Sequence, residues 1–265
     1  IFLTHAQGLN GLDKKLLEYV EKNNIFLIED VCESHGVIVD KDKKGGTFGN
    51  LSCFSFYYAH HMSTIEGGMI CTNDEDSYET LRMFRSHGMV REMQSNKRKN
   101  SWIEKYQDLN EKFIFTRPAF NVRNNEIGAI IGIEQLKRLD SMVRKRAENF
   151  QIFLNLLPNW CFKDFNLEGQ SNYAFNLILN EPDKKLMEGL QLRLEDNGIE
   201  YRRGSAGGGN QMRQPYVRER YLFSEEDIKK IAPITDHVHF FGMYLGNYPE
   251  LDHESIKEIV KIIKG

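Results

Sequence analysis

The sequence predicts an α/β protein, a sheet with covering helices, joined to a smaller α+β unit near the C-terminus. Three observations carry that prediction. Short apolar runs such as Ile25 to Ile28 and Leu51 to Phe56 alternate with amphipathic helical stretches. A long helical tract, Asn124 to Leu157, follows and reads as a spine. Beyond it, strand-like and helix-like segments alternate again up to the end of the chain.

Taken in order, Ile1 to Thr4 reads as a strand with His5 to Gly8 as its exit loop. Leu12, Leu16, Leu17 and Val20 recur at helical spacing, which makes Gly11 to Asn23 an amphipathic helix. Ile25 to Ile28 is a continuous apolar run of the kind buried in a parallel sheet, and it ends in Glu29-Asp30. Val37 to Val39, Leu51 to Phe56 and Gly68 to Thr72 are further strands, and Glu75 to Ser86 is a helix with Leu81 and Phe84 inward. The charged stretch Ser86 to Arg117 reads as a solvated loop. Ile127, Ile130, Ile131, Leu136, Leu139, Val143 and Phe150 give the long helix an apolar face. In the C-terminal part, Tyr173 to Leu179, Ile199 to Arg202 and Val238 to Leu245 are expected strands. Lys184 to Asn197, Glu225 to His237 and His253 to Ile263 are expected helices. The expected domains are 1–135 and 136–265, the second comprising the spine helix and the small unit.

Composition narrows the classes. With 40% hydrophobic and 28% charged residues the chain is ordinary for a soluble globular protein. A net charge of −3 argues against a general nucleic-acid binder. No apolar run approaches the roughly 18 residues of a membrane span. Cys32, Cys53, Cys71 and Cys161 form no Cys-x-x-Cys pair, two of them fall in strands expected to be buried, and a reducing cytoplasm is the expected home. A metal hydrolase is not supported: there is no His-Glu-x-x-His, and His237-x-His239 falls in an expected strand.

The chemistry centres on Ser55-Phe56-Tyr57-Tyr58-Ala59-His60-His61-Met62-Ser63-Thr64-Ile65-Glu66-Gly67-Gly68. A hydroxyl, aromatics and histidines next to glycines suit the approach of a flat ligand, while a plain strand-loop-strand corner is the bland alternative. Upstream stand Glu29-Asp30, then Gly36, and Gly46-Thr47-Phe48-Gly49. This order resembles the DegT family of nucleotide-sugar aminotransferases, pyridoxal-phosphate (PLP) enzymes of the aspartate-aminotransferase fold, fold type I. Their motif Ser-Phe-x-x-x-Lys-x6-Gly-Gly lies on Ser55 to Gly68, with the family's cofactor-binding lysine falling on His60. That departure is similar to the branch of GDP-4-keto-6-deoxymannose 3-dehydratases, in which histidine replaces lysine. The resemblance implies that residues 1–135 are the C-terminal portion of the PLP-binding large domain. It also implies that a long N-terminal portion of the family fold, with a phosphate-binding turn and a ring stacking on the cofactor, lies outside this sequence.

The roles implied follow residue by residue. Asp30, ending a buried strand, would pair with the PLP pyridinium nitrogen, or else cap a helix. Glu33 would lie near the cofactor hydroxyl and Ser55 at its phosphate. His60 cannot bind PLP covalently but can move a proton near neutrality, so pyridoxamine phosphate (PMP) becomes the working form. His61 is the weaker choice, because spacing from Ser55 selects His60. Asn121 would reach the cofactor phosphate of a neighbouring subunit, with Arg123 as an anion partner, or else cap the long helix. His87 and Arg91 match positions facing the sugar. Gly207-Gly208-Gly209-Asn210 with Arg213 reads as a loop closing over the site or as a surface turn.

The implied activity is a sugar 3-dehydratase of deoxysugar (lipopolysaccharide-type) biosynthesis, with L-glutamate as amino donor. Its substrate is a nucleotide-linked 4-keto-6-deoxy sugar and its active form a homodimer with shared sites; no metal, membrane or nucleic acid takes part. An iron–sulfur 3-dehydrase would need cysteines in 86–117, where there are none. A 4-aminotransferase lacks its lysine, and an inactive binding protein would not need Asp30, Glu33, Ser55 and His60 together.

Overall fold

The computed structural model describes residues 1–205 and 208–265. Its strands, in chain order, are β1 (Phe2–Thr4), β2 (Ile28–Asp30), β3 (Ile38–Asp40), β4 (Lys43–Lys44), β5 (Leu51–Ser55), β6 (Gly68–Cys71), β7 (Ala174–Ile178), β8 (Tyr201–Arg203) and β9 (Gly242–Gly246). The helices are α1 (Lys14–Lys22), α2 (Glu75–Phe84), α3 (Asn96–Lys105), α4 (Glu126–Leu156), α5 (Lys184–Asp196), α6 (Pro215–Tyr221), α7 (Glu225–Ile231), α8 (Pro233–Phe241) and α9 (His253–Lys264). The chain divides into two compact units, one of residues 1–4, 14–32 and 46–137, the other of 5–13, 33–45 and 138–265.

The first unit holds a four-stranded sheet ordered β1-β2-β5-β6. β1, β2 and β5 run parallel, and β6 closes the edge antiparallel, with Ser55 opposite Gly68. The apolar run before Glu29 enters the sheet later than expected: pairing begins at Ile28 and includes Glu29 and Asp30. Strand alternation sends these two carboxylates to opposite faces. Glu29 is fully buried and accepts N–H bonds from Gly46 (2.8 Å), Phe48 (2.8 Å) and Gly49 (2.6 Å). The Gly-Thr-Phe-Gly motif is therefore a turn folded around one carboxylate, with three charge-assisted bonds offsetting its burial.

Two expectations for this unit need correction. On α2 the buried residues are Glu79 and Met83, whereas Leu81 and Phe84 are only half-buried. The stretch 86–117 is not a bare loop. It contains α3, whose first turn Ser95 caps by accepting from Arg98 N–H, and a small core of Met83, Val90, Met93 and Ile114 backed by Trp102 and Ile103. Its apolar residues are too widely spaced for a helical period to reveal them, because they come from separate turns. Cys71, expected in a buried strand, is exposed on β6.

The second unit is built on the antiparallel sheet β7-β9-β8. Its core gathers Phe150, Phe153, Phe175, Leu177, Leu190 and Ile256, with the Phe153 and Phe175 rings stacked at 4.5 Å. The strand expected at Val37 to Val39 forms as Ile38–Asp40, but outside the main sheet. It pairs with Lys43–Lys44 as a separate hairpin. The expected helix to His237 is two helices, because Pro233 has no N–H to continue the first and starts the second. α8 runs on to Phe241, so residues 238–241 are helical rather than strand, and His237 and His239 both lie on a helix.

Candidate active site

Asp30 stands at the C-terminal end of β2, in register with Thr4 and Cys53. Its carboxylate accepts the N–H of Cys32 at 3.0 Å, making a tight turn, and no helix follows for it to cap. Ser55 ends the neighbouring strand, where its hydroxyl accepts from Tyr57 N–H at 3.3 Å. Both residues thus sit at the carboxyl ends of parallel strands, the edge where open α/β sheets receive ligands. Burial first, and the Asp30 charge second, raise the Cys53 thiol, so it stays protonated beside this edge.

His60 lies in the loop between β5 and β6. Two backbone pairs close that loop: Phe56 N–H to Gly67 carbonyl and Thr64 N–H to Phe56 carbonyl, both 2.9 Å. Gly67 is required there, since a Cβ would come within 2.6 Å of the Thr64 hydroxyl. The His60 N–H donates to Tyr57 carbonyl at 3.0 Å, and its ring meets the Tyr57 ring edge-on at 5.5 Å. His61, the neighbour, is buried, whereas His60 keeps partial exposure. The half-open histidine is therefore the one that spacing selects.

A second group of residues meets on an irregular ladder. Ser86 pairs with Asn121 and Met89 with Phe115. His87 holds a left-handed backbone (φ 61°) and donates its N–H to Phe120 carbonyl at 2.6 Å. Gly88 follows with φ 76°, and a Cβ there would strike the Arg117 carbonyl at 2.2 Å. This tight crossing sets the 86–87 backbone directly against the 120–121 backbone. Arg91 Nε lies 3.6 Å from Glu92 Oε1, and Arg123 Nη1 lies 4.0 Å from the same oxygen. Arg123 also donates to Asn121 Oδ1 at 3.4 Å. The cap of α4 belongs to Asn125, which accepts from Gly128 N–H at 2.9 Å, so Asn121 is not spent on it.

Glu33 falls in the second unit. It accepts the Gln7 N–H at 3.2 Å, and its charge adds to burial in pushing the Tyr173 phenol up to about 12. The Gly-rich loop is only partly covered, since Gly207 lies outside the described residues. Its far end is pinned. Arg213 grips Asp236 with two guanidinium nitrogens, Nη2 to Oδ2 at 2.9 Å, and stacks over Phe240. Asn210 is buried, donates to Asp236 and gives its N–H to His239 Nδ1 at 3.2 Å. Burial, then the Arg213 charge, lowers the His239 imidazole below its usual value, matching its use as an acceptor. Asn210 and Arg213 are thus structural anchors of that segment.

Sequence reasoning passed over Glu79, Arg82 and Glu92, which surround the Arg91 turn. Glu79 stands four residues before Met83 on one helical stripe, and that spacing was the available signal. Among the described residues no cluster of His, Cys, Asp and Glu could hold a metal, and no helix is long and apolar enough to cross a membrane.

Fold and site define an open α/β protein with an acidic residue and a hydroxyl at adjoining strand ends and a histidine in the loop beyond. The chain belongs to the DegT/DnrJ/EryC1/StrS aminotransferase family, whose profile matches residues 1–264. It is 32% identical over 258 residues to the GDP-4-keto-6-deoxy-D-mannose 3-dehydratase of Yersinia pseudotuberculosis, covering 94% of this chain and 62% of that protein. It is 27% identical to the GDP-perosamine synthase of Vibrio cholerae, covering 100% of this chain and 65% of that one. A crystal structure of GDP-4-keto-6-deoxymannose-3-dehydratase with a trapped PLP-glutamate geminal diamine matches with a TM-score of 0.81 at 25% identity, over 99% of this chain and 67% of that one. The chain spans about three fifths of the length of the curated dehydratases it matches. Its fold is that of the PLP-dependent aminotransferases.

Proposed function

We propose that this chain is the C-terminal portion of the PLP-binding large domain (1–135) and the spine and small domain (136–265) of a PLP/PMP-dependent sugar 3-dehydratase. The substrate would be a nucleotide-linked 4-keto-6-deoxy sugar, with L-glutamate as amino donor, in deoxysugar biosynthesis in the cytoplasm. One observation carries the reading: in the loop between the ends of β5 and β6 a half-open histidine stands where the family has lysine, and no lysine occurs from Ser55 to Gly68. The relatives named as dehydratases and the solved dehydratases that hold PLP support it.

The donor set fits the cofactor without a covalent anchor. Asp30 would hold the ring nitrogen protonated, and Ser55, with Asn121 of a second copy, would bind the phosphate. When bound, PLP supplies an electron sink and, once loaded from glutamate, an amine for the sugar ketone. His60 then has one task, moving a proton. It would take one from the cofactor C4′ carbon and, protonated, would deliver it to the departing C3 hydroxyl. An aminotransferase lysine would instead return that proton to the sugar C4 and leave nitrogen there. His87, Arg91 and Arg123 would hold the sugar and its anionic nucleotide.

A homodimer is part of the proposal. Phe120, Val122, Ile127 and Ile130, on either side of Asn121 and Arg123 in the chain, are each at least 65% exposed. Exposed apolar side chains next in the chain to groups meant for a partner's cofactor fit burial against a second copy. Ile127→Glu with Ile130→Glu should yield monomers by light scattering and lower activity; unchanged dimers would exclude this face.

The deciding experiment uses protein expressed from its complete reading frame, PLP, L-glutamate and GDP-4-keto-6-deoxymannose. A 3-deoxy-4-keto sugar with released ammonia is expected, together with a loss of about 10²–10⁴-fold in His60→Asn. Borohydride should leave no pyridoxyl group on the protein. A 4-amino sugar keeping its C3 oxygen, with no ammonia, would support the second reading. That reading is an aminotransferase of the GDP-perosamine synthase type, motivated by the Vibrio cholerae relative.

A further inference from the structure

We propose that Glu79, buried on α2, is a positioning residue for the anion-binding arginines: it clamps the backbone N–H groups of Gln94 and Ser95, directly after the turn that presents Arg91 and Glu92. The inference rests on the reading of Arg91 and Arg123 as contacts to the nucleotide sugar.

Glu79 is 2% exposed, and its carboxylate accepts two successive backbone N–H groups, Gln94 at 2.8 Å and Ser95 at 2.7 Å. One helical turn on, Arg82 Nε donates to the Glu92 carbonyl at 2.7 Å. The next residue, Met83, packs with Val90 and Met93. One face of α2 therefore grips the segment 90–95 at its apolar residues, at one carbonyl and at two N–H groups. Arg91 leaves this held turn exposed, with its guanidinium 5.5 Å from the Phe113 ring and Nε near the Glu92 carboxylate. Arg123 faces the same Glu92 oxygen, so one acid stands between two cations. The spacing of the two guanidiniums depends on where Glu92 is held: Arg82 fixes its carbonyl, and Glu79 fixes the chain two and three residues further on, at the N–H groups of Gln94 and Ser95.

The Ser95 hydroxyl caps α3 through Arg98 N–H, whereas Glu79 takes the N–H groups of Gln94 and of Ser95 itself, ahead of the helix. A carboxylate is also the side chain the geometry demands. Two adjacent N–H donors need two acceptor oxygens, and an amide offers one oxygen and one NH2 that would oppose the second donor. Glu79→Gln thus breaks the clamp with almost no change of shape.

The test measures GDP binding by calorimetry and PLP uptake by absorbance, on protein from the complete reading frame, for wild type, Glu79→Gln, Arg91→Ala and the double variant. Glu79→Gln should weaken GDP about tenfold and leave PLP uptake unchanged, since Asp30 and Ser55 stand on the sheet. The double variant should bind GDP no more weakly than Arg91→Ala alone, because both changes remove the same contact. Additive losses, or GDP and PLP binding falling together, would show a merely structural role and overturn the proposal. Wild type that binds GDP while Glu79→Gln binds it equally well also overturns it, leaving the reading of Arg91 intact. Wild type that ignores GDP overturns both. If the amide variant does not fold, Glu79→Asp, which keeps two acceptors one methylene short, carries the same expectations at smaller size.

Discussion

The two units treat the same kinds of residue in opposite ways. In the second, Phe150, Phe153, Phe175, Leu190 and Ile256 are fully buried around one antiparallel sheet. In the first, Met69 and Ile70 on the edge strand β6 are 52% and 49% exposed, and Ile127 on the opening turn of α4 is 73% exposed. The second unit closes its main apolar core within its own chain, while Leu222 and Ile234, outside that core, are 84% and 79% exposed. The first buries Leu27, Val31 and a small cluster around Met83, and also two acids that hold turns, Glu29 and Glu79. The closed aromatic core thus lies in one unit, while the other carries Asp30, Ser55 and His60.

The sharpest way to break this comparison is to empty the closed core. Phe153→Ala should cost about 3–5 kcal/mol, read from the denaturation midpoint, since its ring stacks on Phe175 and cannot be replaced by water. A cost near 1 kcal/mol would mean the core is not what holds the second unit.

Next in size is the Arg213–Asp236 pair, where both side chains are about nine-tenths buried. Asp236→Asn should cost about 2 kcal/mol, with Glu225 still partnering Arg213. The bond to Arg213, then that to Asn210, holds the Asp236 carboxyl below the usual carboxylate range. A depressed pKa means this stabilisation is complete above about pH 4, the unfolded value, and is lost as pH falls through the lower folded value. The stability gap between wild type and Asp236→Asn should therefore close in acid; a gap that widens would contradict the assignment.

The smallest effect belongs to the first unit. Ile133, 59% exposed on α4, should cost within about 0.5 kcal/mol as Ile133→Ala at low protein concentration. If a second copy covers this face, the cost should grow as concentration rises. A large cost independent of concentration would show that the first unit closes its own core there.

Much of the fold was legible in the sequence because its signals are local. β5, β7, α4, α5 and α9 fall where period and composition put them, since a strand or a long amphipathic helix writes its repeat into consecutive residues. So do the acid ending β2 and the histidine five residues after Ser55, because motif spacing is itself a sequence property. The errors arose where neighbours distant in sequence decide. Val238 to Phe241 has strand-forming residues but continues the helix that Pro233 starts. Residues 86–117 look like a charged loop, yet Val90 and Ile114 meet Met83 from separate turns.

Taken by itself, the sequence determined the alternation of elements, the spine helix, and the spacing that singles out Asp30, Ser55 and His60. Only the tertiary structure decided that β6 runs antiparallel, that Asn125 rather than Asn121 caps α4, and that Arg91 and Arg123 share one glutamate oxygen. The reason is physical. A period or a motif is carried by residues adjacent in the chain, whereas Glu79 and Glu92 acquire their partners only when α2 packs against the turn after it.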